Sequence, residues 1–216
     1  MTKVFSLTLA LVIAATGGAL AGPHIVGGTP LAADHVPWGG QYSAYRFQCM
    51  WYQSEINEAG RVTKVEFQFW GYASGSPPIT FYNVDMLLCH SSLNALTNNF
   101  QNNYDGKTPV KVYSGNFTIP AGLNNKDWFI QCEPKNFTYN NKDNLLFEIS
   151  WSRNTASVNT FFWLSISGQP GRLGAKNNKT ATTADWVTKD GQIARITIGN
   201  PAVDATSLGR VKTLFR

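Results

Sequence analysis

Two glutamates, Glu66 and Glu148, are the residues of this chain whose types and placement come nearest to catalytic chemistry. Each sits in an alternating stretch. Val65, Phe67 and Phe69 oppose Lys64, Glu66 and Gln68, and Leu145, Phe147, Ile149 and Trp151 oppose Leu146, Glu148 and Ser150. Two carboxylates flanking a groove, one held protonated as the acid, are what glycoside hydrolysis requires. If the two stretches lie in one sheet, Glu66 and Glu148 share a surface. Ordinary solvent-facing glutamates leave the same pattern, and no short motif sets two acids at a catalytic spacing. No catalytic residue is therefore assigned, and hydrolysis of polysaccharide stands as the alternative to a non-catalytic role.

Other reactive groups are weaker. Cys49, Cys89 and Cys132 with His90 offer thiolate and imidazole ligands suited to zinc, but no Cys-x-x-Cys knuckle is present. The bland reading, buried cysteines acting as small apolar residues, is preferred. An odd number of cysteines leaves at most one internal disulfide and one free thiol. Asn140, Asn141, Asp143 and Asn144 present oxygen ligands in one loop, and Asp127 follows Asn124 and Asn125 in another. Neither matches a defined calcium loop, and such clusters ordinarily serve as turns. There is no Gly-x-Ser-x-Gly elbow, and His35 and His90 have no recognisable relay partner. No metal or other cofactor is expected.

Aromatic residues give the positive signal. Trp70 and Tyr72 end a strand on the face opposite Phe67 and Phe69, and Phe162 is followed directly by Trp163, so one of that pair faces outward. Flat exposed rings stack on sugar rings while Asn and Asp side chains bond the hydroxyls. Trp70, Tyr72 and Trp163 are accordingly the candidate ligand-binding residues, weighed against aromatic core positions under loops or between sheets.

The elements that must position these residues are strands. Charged residues make up only 14% of the chain and aromatics 13%, a balance suited to pleated surfaces. Lys3, the apolar run from Val4 to Ala15 and Ala19-Leu20-Ala21 form a signal peptide over residues 1–21. Its apolar run is too short to span a bilayer, and no later stretch is long enough, so no membrane span is expected after cleavage. Residues 22–40 read as an extended amino-terminal arm, 41–199 as a β-sandwich domain, and 200–216 as a linker with a short carboxy-terminal helix over 207–215. The formal charge of +5 is scattered, with one loose group at Arg172, Lys176 and Lys179, and nucleic acid is not an expected partner.

Strands are expected over residues 42–52, 62–70, 81–89, 110–113, 116–119, 127–132, 145–151 and 160–167. The third places Tyr82, Val84, Met86 and Leu88 on one face. Helical turns are expected over 54–60, with Ser54 as cap and Gly60 as stop, and within 91–100. Residues 168–183 read as flexible. Asp190-Gly191 signals a hairpin between 186–188 and 193–198. The fold expected is all-β, an antiparallel two-sheet sandwich of the jelly-roll kind.

Several segments resemble the jelly-roll modules of bacterial extracellular and cell-surface, adhesin-like proteins: Tyr45-Arg-Phe-Gln-Cys, Asn83-Val-Asp-Met-Leu-Leu-Cys-His, Pro109-Val-Lys-Val-Tyr-Ser-Gly and Tyr139-Asn-Asn-Lys-Asp-Asn-Leu-Leu-Phe-Glu-Ile. The resemblance spans residues 42–199 and its motifs mark strands and turns, so it implies fold and a secreted, cell-surface setting more than a reaction. Ile25-Val-Gly-Gly followed by Val36-Pro37-Trp38 resembles the mature start of trypsin-like proteases. The Ala-Ala-His-Cys and Gly-Asp-Ser-Gly-Gly segments of that family are missing, which makes the match coincidental. The expected function is a secreted, non-catalytic binding or structural module, contacting glycan, an extracellular protein or copies of itself. Residues 22–40 are the candidate strand donor for such self-assembly.

Overall fold

A computed structural model describes residues 22–71, 78–156, 161–165 and 168–199. The signal peptide expected over residues 1–21, the candidate Tyr72 and the helix expected over 207–215 lie outside the described residues. In chain order the strands are β1 (Pro23–Val26), β2 (Ala32–Asp34), β3 (Tyr45–Trp51), β4 (Gly60–Gly71) and β5 (Ile79–Ser91). They continue with β6 (Val110–Ile119), β7 (Trp128–Cys132), β8 (Thr138–Tyr139), β9 (Asn144–Trp151) and β10 (Arg153–Asn154). The last are β11 (Phe161–Ser165), β12 (Arg172–Lys176), β13 (Trp186–Thr188), β14 (Gly191–Gln192) and β15 (Ala194–Gly199). A short helix α1 (Gln53–Ile56) and a 3-10 turn (Asn102–Tyr104) interrupt them.

These strands form two antiparallel sheets packed face to face, the β-sandwich expected from the alternation. One sheet runs β1-β15-β4-β11-β14, with β2 on β11 and β7 and β8 on β4. The other runs β10-β5-β9-β3-β12-β13, with β6 on β5. Between them rings interlock. Phe67 meets Phe147 at 5.7 Å and 87°, and Phe162 at 6.0 Å and 76°, the edge-to-face geometry aromatic quadrupoles favour. Buried tryptophans satisfy their N–H groups across the core. Trp51 donates to the Gln192 carbonyl at 2.7 Å, Trp151 to the Pro37 carbonyl at 3.0 Å, and Trp38 to Gln131 Oε1 at 2.8 Å.

The second sheet is covered on its outer face as well. Met50, Leu146, Leu173 and Ala175 pack there against Leu96, Phe100 and Tyr104 from the loop after β5. Every residue of β9 is buried as a result. This accounts for Leu146 standing opposite an already apolar face.

Several expectations are corrected. Residues 22–40, expected as an extended arm outside the 41–199 domain, are built into the sandwich: β1 pairs with β15, β2 pairs with β11, and Trp38 is wholly buried. The helix at 54–60 is shorter, preceded by Tyr52 and stopped by Asn57 in the left-handed conformation (φ 46°), not by Ser54 and Gly60. No helix forms over 91–100, although Leu96 and Phe100 are buried as its spacing suggested. Residues 110–119 make one strand instead of two. In β5, Asn83 takes a positive φ of 51° and shifts the register, so Phe81 faces the core in place of Tyr82. Residues 168–183 contain β12, hydrogen-bonded between β3 and the edge strand β13. Asp190-Gly191 is not a hairpin but the point where the chain leaves β13 in one sheet for β14 and β15 in the other.

Candidate functional site

The structure brings two of the candidate aromatics, Trp70 and Trp163, together. β4 and β11 are neighbours, Phe69 pairs with Phe162 on the inner side, and the residues after each point outward. The two indoles meet edge to face, centroids 6.5 Å apart and planes at 76°. Trp163 Nε1 donates to Asn125 Oδ1 at 3.0 Å, which fixes its ring. Leu31, Ala32 and Ala33 complete a cleft of about 380 Å³. Ala33 pairs directly with Trp163, and its small side chain leaves the indole face open. Trp70 is 44% exposed and Leu31 62%, so this is an apolar surface in contact with water.

Farther along the same outer face, Trp128 pairs with Gln68 and carries the Arg195 guanidinium 4.8 Å above its ring. Arg195 in turn grips Glu66 through two bonds of 2.6 Å.

Glu66 and Glu148 do not share a surface. Glu66 lies on β4 and Glu148 on β9, in different sheets and on opposite outer faces of the sandwich. Glu148 is also saturated. Its Oε1 accepts from Arg46 Nε at 2.9 Å, and its Oε2 from Arg46 Nη2 at 3.1 Å, Gln48 Nε2 at 2.6 Å and Tyr104 O–H at 2.5 Å. Asn103 extends the network by donating to Gln48 Oε1 at 2.9 Å. A carboxylate so occupied, and only 5% exposed, clamps the covering loop to the sheet and is not presented to a substrate.

The cysteines are free and buried. Cys49 and Cys132 lie in the main core and Cys89 under the covering loop, so they do not converge, and among the described residues no His, Cys, Asp and Glu group is arranged to hold a metal. His90 stacks on Phe137 and Tyr139 and accepts the Asn140 backbone N–H at 3.2 Å. Burial holds its imidazole below the usual pKa. The Asn140–Asn144 loop is knit by its own side chains: Asn140 Oδ1 accepts from the N–H groups of Lys142 and Asp143 at 2.9 and 3.1 Å. Asn144 Oδ1 accepts from Gln53 N at 2.8 Å. The oxygens counted as calcium ligands thus build a turn.

A second cleft, between the sheets at their β2 and β13 edges, was not found by sequence reasoning. Asp34, His35, Tyr42, Arg172, Lys176 and Trp186 line a space of about 290 Å³. Arg172 pairs with Cys49 and Lys176 with Tyr45, so both cations are directed to the inner side of β12. Gly174 between them is required by close approach: a Cβ there would stand 2.5 Å from the Tyr45 hydroxyl and 2.7 Å from the Trp186 ring. That gap lets Trp186 Nε1 donate to Tyr45 O–H at 3.1 Å and sets the indole as a wall. Asp34 accepts from Arg172 Nη2 at 3.0 Å and from the His35 N–H at 2.7 Å. Burial opposes its ionisation, but the His35 hydrogen bond and the Arg172 charge hold its carboxyl well below the usual range. The sequence signal was the alternation of Arg172, Gly174 and Lys176 against Leu173 and Ala175, a polar set facing inward that reads as a loop.

Among the described residues, no helix is long and apolar enough to cross a membrane. Comparisons with protein-family models, with curated proteins and with solved structures find no significant match to this chain.

Proposed function

We propose that this chain is a secreted, non-catalytic binding module of the bacterial cell surface or extracellular matrix, and that it holds carbohydrate at the Trp70–Trp163 cleft. The observation that carries the reading is the edge-to-face indole pair itself. Trp70 is 44% exposed, and Trp163 is anchored by Asn125. An exposed, pre-set ring binds the apolar face of a sugar at little entropic cost, and Asn125, bonded to Trp163 through its Oδ1, keeps its amide NH2 beside the ring to meet a hydroxyl. The separation of Glu66 from Glu148, with Arg195 and Arg46 bonded to them, removes the carboxylate pair on which the hydrolase alternative rested.

The test is retention of the mature chain on a panel of insoluble polysaccharides, with tryptophan fluorescence and released sugar followed together. Retention with a fluorescence change and without released sugar is expected. Trp70→Ala should weaken retention about thirtyfold, the size of a tryptophan hot spot near 2 kcal/mol. Equal retention of parent and variant, or release of sugar, would overturn the reading.

A further inference from the structure

The inter-sheet cleft holds chemistry that packing does not require. The Arg172 side chain is 4% exposed, yet its Nε and Nη1 have no hydrogen-bond partner among the described residues. Only Nη2 is engaged, by Asp34 at 3.0 Å and Asp190 at 3.4 Å. A buried donor without an acceptor is destabilising, and an apolar side chain in the same place would avoid that cost. Native chains rarely keep such groups without a use for them.

The neighbouring groups point to one kind of ligand. Lys176 lies on the same face of β12 and rests 5.9 Å from the centre of the Tyr42 ring. Its ammonium makes no ion pair among the described residues. The acceptors, by contrast, are largely committed. Asp34 already takes bonds from Arg172 and from the His35 backbone, with His35 Nδ1 3.0 Å away. The cleft therefore carries spare cationic donors and needs an occupant that brings negatively charged acceptors. Its walls are two rings, Tyr42 and Trp186, and Arg172 itself lies 5.4 Å from the Trp186 ring centre. Asp190 and Thr188 at the rim offer oxygens to a hydroxyl.

We infer that this cleft binds a carboxylate carried on a hydroxylated ring, the chemical class of a sugar acid. The carboxylate accepts from one of the unpartnered Arg172 N–H groups and from Lys176 Nζ. The ring lies between Tyr42 and Trp186, and a hydroxyl reaches Asp190. The arrangement is independent of the tryptophan cleft, which lies on the outer face of the other sheet.

Calorimetric titration of the full mature chain with glucuronate, glucose and benzoate tests this. Glucuronate is expected to bind, glucose at least about a hundredfold more weakly, and benzoate more weakly than glucuronate. Lys176→Gln, at the exposed rim, should weaken glucuronate about tenfold, as loss of one charge-assisted hydrogen bond does. Arg172→Gln should abolish binding, with circular dichroism reporting whether the sandwich is kept. Asp190→Asn keeps an oxygen acceptor but removes a repelling charge, and should tighten glucuronate several-fold. Trp70→Ala should leave the titration unchanged, which separates this site from the polysaccharide cleft. Equal binding of glucose, tighter binding of benzoate, indifference to Lys176→Gln, or no heat with glucuronate would each overturn the inference.

Discussion

Replacing Glu148 by glutamine tests whether that carboxylate is a structural clamp. The amide keeps the size of the side chain but exchanges one oxygen for an NH2 group. Placed at Oε2, the nitrogen would face three donors, Arg46 Nη2, Gln48 Nε2 and Tyr104 O–H; placed at Oε1, it would face Arg46 Nε. Either way a donor meets a donor and Arg46 loses its counter-ion. The two side chains are 16% and 5% exposed. Breaking a buried pair from one side costs about 3–5 kcal/mol, and the part-exposed Arg46 places this site at about 3. For a domain of this size each kcal/mol lowers Tm by about 2–4 °C, so Glu148→Gln should melt about 6–12 °C below the parent. Near-ultraviolet circular dichroism during heating would read it. Amides of the covering loop should also exchange faster with solvent, since Tyr104 and Asn103 would lose their anchor. A variant melting within about 2 °C of the parent would refute the clamp.

Gly171→Ala should cost about 2–3 kcal/mol, because Gly171 has a φ of +111° and a Cβ there would press on the Thr188 carbonyl oxygen; urea midpoints would measure it. Burial pushes the Cys89 thiol up to about 11 and raises Cys49 and Cys132 as well. A disulfide reagent near pH 8 should label no thiol in the native chain and all three after unfolding. Asp85 is partly buried, which raises its pKa, but hydrogen bonds from Lys179, Lys111 and Ser114 outweigh this and hold it at about 2. Its folded pKa lies below the unfolded value, so its stabilisation is complete above about pH 4 and is lost as pH falls toward about 2. Asp85→Asn should flatten that acid limb of stability, read from urea midpoints across the window.

The strands were legible where apolar residues recur at every second position, as in β4 and β9, and so was the outward side of Trp70, but that Trp163 lies beside it rests on the pairing of β4 with β11. β12 was not, because its inner face carries Arg172, Gly174 and Lys176, and only the outer Leu173 and Ala175 bury apolar surface. With the strand went the inter-sheet cleft. The Tyr82 face was misplaced because one left-handed asparagine, Asn83, reverses the pattern before it and leaves the pattern after it intact. Sheet membership decided the fate of the glutamates. Alternation tells which side of a strand a residue occupies but not which sheet the strand joins. The Asp190-Gly191 signal failed for the same reason: the local sequence marks a change of direction, while the partners of β13, β14 and β15 are set by distant residues.

Pro23 pairs with Thr197 and Val26 with Ala194, so the first and last described strands run side by side. Partner Cα atoms in an antiparallel ladder lie about 5 Å apart. The stretch from Gly22 to Gly199 therefore begins and ends side by side, and a few residues joining Gly199 to Gly22 would close it into a ring without straining a ladder. Such a ring could be reopened at an exposed turn with every strand pair kept, so the order in which the strands are synthesised is separable from the sandwich they build. The same corner would also let this sandwich be spliced into a host loop as a cassette, held at both ends by adjacent strands.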